Sequence, residues 1–179
     1  MSINLRLADF KTRVGLGTRP NRYSVSLGIP KADAMEAEVS ALSLPSSELP
    51  AIRVPFRGRV LKVPGDRVYA PWSFTVYDTA SSTTDRAQDV WEALHGWSDN
   101  INTHVENKTY WDPEDTDFVS NWTITHWDLN GEKPLKQITL YNCWPTTVGA
   151  IELAAGVMDT MTQFTSTVEY EYFTVNYNI

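Results

Sequence analysis

The sequence predicts a mainly β protein, an antiparallel β-sandwich or barrel with one flanking α-helix. Two observations carry this reading. Apolar and polar residues alternate with a period of two in segment after segment, and one stretch alone switches to a helical period. Short clusters of Pro, Gly and Asp separate these segments, and such clusters preset turns. Strands on both sides of a single helix, with no internal repeat and no low-complexity tract, fit one layered domain.

Each element follows in chain order. Tyr23, Val25, Leu27 and Ile29 alternate with Ser24, Ser26 and Gly28, as in a half-buried strand. Residues 38–44 and 53–63 are further strand candidates, with the break Leu44-Pro-Ser-Ser-Glu-Leu-Pro50 between them. Val63-Pro-Gly-Asp66 reads as the turn of a hairpin joining two long strands, because Gly65 can take a positive φ and Asp66 can bond back to the backbone. Val68, Ala70, Trp72, Phe74 and Val76 then place five side chains on one face of a strand over 67–77. Val90, Leu94, Trp97 and Ile101 recur at spacings of four, three and four, the apolar stripe of a helix. Ser82 and Asp85 resemble its capping box. Gly96 is expected to end or bend it, since Gly costs about 1 kcal/mol relative to Ala in a helix interior. Trp122, Ile124 and His126 alternate with Thr123 and Thr125, and residues 135–141, 148–153 and 163–177 complete the strand candidates. Trp144-Pro145 reads as a rigid strand end, because Pro cannot donate to a ladder.

Composition narrows the function classes. The chain has 179 residues with 15 Lys and Arg against 22 Asp and Glu, a formal charge of −7. That balance argues against a protein that coats duplex nucleic acid, which must neutralise phosphates with clustered cations. A single cysteine, Cys143, makes no internal disulfide and no Cys-based zinc site by itself. The first residues lack the apolar run of a signal peptide, and no stretch is long and apolar enough for a membrane anchor, so a soluble chain is expected. The sequons at Asn107 and Asn121 then read as chance matches.

Little chemistry is nominated. Asp112, Glu114, Asp115 and Asp117 offer hard oxygen ligands, but Pro113 and the missing turn glycine spoil a calcium loop, and a solvated acidic loop is expected. His95, His104 and His126 lack the framing residues of known hydrolase or metal motifs, and His126 reads as a hydrogen-bonded structural residue. Cys143 is most simply a buried small hydrophobe, and Gly15-Leu-Gly17 lacks the rest of a dinucleotide fingerprint. No catalytic, cofactor or metal residue emerges, and a non-enzyme is expected. Seven Trp residues are the remaining oddity. Trp72, Trp97 and Trp122 fall on expected buried faces, which leaves Trp91, Trp111, Trp127 and Trp144 for partners. Such platforms suit a protein interface, and an aromatic-rich carbohydrate-binding module is the alternative from another class.

Longer blocks carry a resemblance. Leu42-Ser-Leu-Pro45, Val54-Pro-Phe-Arg-Gly-Arg59, Val63-Pro-Gly-Asp-Arg67 and the run Trp72 to Asp78 resemble the tail-tube proteins of T4-like contractile-tailed bacteriophages. Ile138-Thr-Leu-Tyr-Asn-Cys-Trp-Pro-Thr-Thr-Val-Gly149 with an acidic-aromatic last strand is similar to the same family's C-terminal half, and Arg19-Pro-Asn21 fits before the first strand. The stretch from Thr103 to Asp117 and the tail from Thr174 to Ile179 depart from the pattern.

The resemblance implies an N-terminal arm over 1–18 and a single tail-tube β domain over 19–179. It implies a virion-tail subunit, assembled in the host cytoplasm, that forms hexameric rings. Strands of each copy would join a ring-wide β-barrel, and stacked rings would form a hollow conduit for DNA ejection. Expected partners are further copies of the chain, the tail sheath protein, a tape-measure protein, a baseplate tube-initiator and a tail terminator, with DNA passing through unbound. A baseplate tube-initiator, or the tube subunit of a related contractile injection or secretion particle, is the neighbouring alternative. The assembly candidates are Pro55, Phe56, Arg57, Gly58, Arg59, Gly65, Asp66, Arg67, Trp144 and Pro145. Arg57, Arg59 and Arg67 in particular present guanidinium forks suited to carboxylates of another acidic subunit. Six subunits at −7 carry −42 per ring, and Glu169 and Glu171, on one face of the last strand, are the lumen candidates.

Overall fold

The computed structural model describes residues 17–30, 35–78, 90–109 and 118–177. Its elements are β1 (Tyr23–Leu27), β2 (Met35–Ala37), β3 (Val39–Leu42), β4 (Ser47–Glu48), β5 (Ala51–Phe56), β6 (Arg59–Pro64), β7 (Val68–Tyr69), β8 (Trp72–Tyr77), α1 (Val90–Ile101), β9 (Ser120–Trp127), β10 (Pro134–Val148), β11 (Gln163–Glu169) and β12 (Tyr172–Tyr177). The N-terminal arm up to residue 16, the Ser82–Asp85 cap and the acidic loop at 112–117 lie outside the described residues.

The strands form an antiparallel array in the order β2-β1-β9-β10-β11-β8-β3, and β12 also pairs with β10. β10 organises it. Its first half lies between β9 and β12, with Ile138 opposite both Ile124 and Val175, while its second half pairs with β11 from Trp144↔Glu169 onward. β11 and β12 lie along β10 in one register, so the 163–177 strand expected from sequence is a ribbon with one interruption at Tyr170-Glu171. Opposite that interruption Asn142 adopts φ 53° inside a β-bulge. The bend is tied by the Glu171 N–H donating to the Tyr141 carbonyl at 3.0 Å and by the Asn142 side-chain amide donating to the Glu171 carboxylate.

Between the two halves of the bent array lies the core. Trp122 is at its centre: the ring is fully buried and meets Phe74 edge-on at 5.4 Å and Trp72 at 6.0 Å, with Trp97 of α1 at 6.1 Å. A buried indole must also place its N–H. Trp72 donates to the Ser43 carbonyl, Trp97 to the Phe118 carbonyl and Trp122 to the Gly28 carbonyl, at 2.6, 2.9 and 2.7 Å. These bonds pin loops to the core. Val25, Leu27, Ile124, Leu140 and Cys143 fill the space around the rings, as the period-two pattern implied.

Helix α1 buries Val90, Ala93, Leu94 and Trp97, and Ile101 is half-buried, so the expected stripe faces the sheet. Since the helix continues to Ile101, Gly96 does not end it. It lies on the outer side with open space where a Cβ would project. Gly96→Ala is therefore expected to stabilise the subunit by about 1 kcal/mol, through helix propensity alone. Urea titration checks this, and an unchanged midpoint would contradict it.

Four other expectations are corrected. The strand over 67–77 divides at Ala70-Pro71, because Pro71 supplies no amide and restricts the residue before it. Only Trp72, Phe74 and Val76 face the core, and Val68 and Ala70 are exposed. Residues 149–153 are not a strand, since β10 stops at Val148. Trp144-Pro145 does not end a strand. β10 runs through it, and the ladder absorbs Pro145 with a register shift between Pro145 and Thr147. Finally, residues 53–63 are two strands rather than one, which moves the hairpin turn.

Candidate functional site

The hairpin reverses at Arg57-Gly58, not at Pro64-Gly65-Asp66. Phe56 pairs with Arg59, so the loop has two residues, and both take positive φ, 44° at Arg57 and 79° at Gly58. This is the backbone of a type I′ turn, whose twist matches the flanking strands. Gly65 serves the base of the hairpin instead. Its N–H donates to the Pro50 carbonyl at 2.7 Å, and an added Cβ would meet that oxygen at 2.8 Å. Asp66 is exposed and makes no bond back to the described backbone.

β5 and β6 pair only with each other, and every residue of both strands is exposed. The alternation sorts them. Ile52, Val54 and Phe56, with their cross-strand partners Val63, Leu61 and Arg59, share one face, while Arg53 opposes Lys62 on the other. Phe56 is 66% exposed and Leu61 60%. An isolated two-stranded hairpin is marginal in water, and a contiguous aliphatic face of this kind marks an interaction site. Four cations and no acid lie in 51–64. The Arg57 guanidinium sits over the Phe56 ring at 5.5 Å, and Arg67 donates to the Ser47 hydroxyl at 2.8 Å. None of Arg57, Arg59 and Arg67 forms an ion pair with a described residue.

The tryptophans are placed differently from the sequence reading. No described Trp is among the exposed large apolar residues. Trp91, Trp127 and Trp144 are half-buried; Trp91 donates to the Gly149 carbonyl at 3.1 Å and Trp127 to the Ser24 hydroxyl at 2.9 Å. Trp111 lies outside the described residues. The exposed apolar area is mainly aliphatic, and sequence reasoning missed it by following the aromatic count. The signal was available in Ile52-Arg-Val-Pro-Phe-Arg-Gly-Arg-Val-Leu-Lys-Val63, where an Arg-Gly turn divides two alternating runs. Glu169 is half-buried and Glu171 exposed, both beside the buried Tyr170, but at the bend rather than along one strand.

The titratable groups of the core have structural work. Cys143 is buried with its thiol pushed up to about 12, first by loss of solvation. The neutral thiol is favoured in the folded chain, so this contribution to stability is whole below the ordinary value of 9.0 and is lost as pH rises through 12. Because the thiolate is the reactive form, iodoacetamide at pH 8 is expected to label the native chain at least about 100-fold more slowly than the urea-unfolded chain. Equal rates would refute the burial of the sulfur. Burial likewise raises the Tyr23 hydroxyl, which donates to the Val39 carbonyl at 2.7 Å. It lines a cavity of about 290 Å³ with Leu42, Ile124, His126 and Lys136. His126 Nε2 is 3.0 Å from the Arg19 carbonyl, the structural bond expected of it, and Nδ1 is buried without a partner. Among the described residues no three His, Cys, Asp or Glu converge as metal ligands, and no helix is long and apolar enough to cross a membrane.

The described chain is an antiparallel, mainly β fold that carries an exposed apolar hairpin. The chain belongs to the Phage tail tube protein family, whose pattern it matches over residues 18–176. It is 26% identical over 166 residues to a tail tube protein of Serratia phage KSP90, covering 89% of each chain. It is 23% identical over 155 residues to tail tube protein gp19 of Enterobacteria phage T4, covering 87% of this chain and 90% of that one. Solved structures share the fold. A chain of the sheath–tube complex of PVC, an extracellular contractile injection system, matches with TM-score 0.62 at 16% identity, over 96% of this chain and 98% of that one. A chain of the tube-terminating cap of the anti-feeding prophage matches with TM-score 0.63 at 15% identity, over 99% and 96%. One from the baseplate of the same particle gives 0.64 at 13% identity, over 88% and 94%. The protein is a phage tail tube protein, a component of the virion tail.

Proposed function

We propose that this tail tube protein forms hexameric rings that stack into a hollow conduit for DNA, assembled in the host cytoplasm. The observation that carries this is the apolar face of Ile52, Val54, Phe56, Leu61 and Val63, which one subunit leaves in water and an ordered polymer covers. Open sheet edges support it. Among the described strands β12 pairs with β10 alone, and β2 and β3 end the array. Joining such edges around a ring removes the hazard of uncontrolled pairing. Arg57, Arg59 and Arg67 then meet acids of neighbouring copies, and Trp144 and Pro145 shape the β10 segment that carries the bend. Glu169 and Glu171 help to face the lumen with negative charge, so that phosphates are repelled and DNA slides through unbound.

The role is structural, without catalysis or cofactor. Sheath outside, tape-measure protein within, an initiator below and a terminator above complete the set of partners. The relatives in sheath–tube and cap assemblies support the sheath and terminator in particular. Because chains of a baseplate and a cap share this fold, a baseplate initiator or an injection-particle tube is the second reading. Negative-stain microscopy of the purified protein separates them. Tubes of open-ended length support the tail tube, single rings that never stack support the initiator, and a persistent monomer at high concentration refutes both.

A further inference from the structure

Besides the hairpin, a second apolar surface lies in the connection between β10 and β11, residues 149–162. It has no strand or helix. Leu153 is 84% exposed and Met158 80%, and Val157 and Met161 are exposed beside them. The segment is nonetheless held in place. The Gly149 carbonyl accepts from Trp91, the Thr162 carbonyl from the Asp78 N–H at 2.9 Å, and Gly149 packs so closely on Thr165 that a Cβ has no room. Two of the chain's four methionines are here, and methionine makes adaptable contact surfaces. Its charged residues are Glu152 and Asp159, both exposed, with no base among them.

The two surfaces lie at opposite ends of one strand pair. Trp72, to which the hairpin leads through β7, pairs with Val168, and Tyr77 pairs with Gln163, where the 149–162 segment ends. Five residue steps along β8 separate these ends, about 17 Å at the usual rise. Tyr69, at 5.9 Å from the Tyr170 ring, fixes the hairpin base to the first end. Neither surface covers the other within one chain, as the exposure of both shows.

We infer that residues 149–162 are the receptor for the hairpin of a neighbouring copy, a head-to-tail contact. The apolar face of β5–β6 lies on Leu153, Val157, Met158 and Met161, and Arg57 and Arg59 at the tip meet Glu152 and Asp159. The complementarity is both apolar and electrostatic, a basic hairpin against an acidic segment. A contact between two different patches of identical chains does not close on itself as a dimer, so it propagates. This inference rests on the tube reading and names the surface by which copies join.

A charge-exchange cycle tests it, read as the concentration at which polymer first sediments. One variant carries Arg57→Asp and Arg59→Glu; Asp suits the positive φ of the turn. A second carries Glu152→Lys and Asp159→Asn, which likewise respects the positive φ of 61° at Asp159. Each is expected to raise the threshold at least about tenfold, and the four-fold combined variant to return within about threefold of wild type, since paired charges couple across a real contact. A combined variant at least as impaired as the worse parent overturns the contact, as does an acidic-segment variant that assembles like wild type. Circular dichroism of the dilute subunits confirms that all of them fold. Failure of the wild-type chain to polymerise at any concentration would instead count against the tube reading itself.

Discussion

Trp122→Ala is expected to destabilise the unassembled subunit by about 3–5 kcal/mol, the usual range for removing a large aromatic from a packed core. Three effects combine at this residue. The ring is wholly buried, it joins Trp72 and Phe74 of β8 to Trp97 of α1, and its N–H satisfies the Gly28 carbonyl. Truncation opens a cavity that three large rings cannot collapse to fill, and it leaves a carbonyl unpaired. Trp122→Phe keeps most of the volume and loses the hydrogen bond, so a smaller cost of about 1–3 kcal/mol is expected. Urea unfolding below the assembly threshold measures both, since polymerisation would add its own stabilisation. A loss under 1 kcal/mol for the alanine variant would show that Trp122 is not the keystone of the core.

Leu61→Asp is expected to have the opposite profile, with near-wild-type subunit stability and assembly lost. Leu61 lies mid-strand on the apolar face of the hairpin and contacts water in the subunit, so its replacement removes no core packing. Surface changes of this kind stay within about 0.5 kcal/mol. In the proposed polymer the same position is covered. The variant then forfeits about 1.5–3 kcal/mol of burial at each contact, and it brings a carboxylate into an apolar interface. Each 1.4 kcal/mol is a factor of about ten, so the sedimentation threshold should rise by at least about 100-fold. Polymer of normal length at the wild-type threshold would show that the hairpin face is not an assembly surface.

The two variants mark where the sequence was readable. The core was, because burial imposes periodicity: the β1 pattern from Tyr23 to Ile29, the Trp72-Phe74-Val76 face, Trp122 with Ile124, and the α1 stripe all follow from which side chains must leave water. Breaks within long alternating runs were less so. Arg57-Gly58 resembles no common I′ pair at its first position, so the more familiar Pro-Gly-Asp next to it drew the turn away. Asn142 and Pro145 bend and shift β10 without interrupting its alternation, and one-dimensional pattern carries no trace of register. Of the assembly candidates, Pro55 to Arg59 were nominated through family resemblance, and the structure places them at the tip of the hairpin. The 149–162 segment was misread in its first part, where 148–153 looks like a strand, and its remaining apolar residues follow neither a helical nor a strand period. Outward apolar side chains look like inward ones until the fold shows which way they face.

The shared strand β10 has a mechanical consequence. Fifteen residues long, it is laced to β9 and β12 along its first half and to β11 along its second, and β12 and β11 keep one register against it from Lys136 to Pro145. Ladder hydrogen bonds of an antiparallel pair lie perpendicular to the strands, so a pull along β10 strains many of them together in shear, whereas a pull across an edge would break them one at a time. A subunit loaded along this direction yields as a whole or not at all. In the proposed tube, a load directed along β10 is carried in each unit by one continuous fifteen-residue strand.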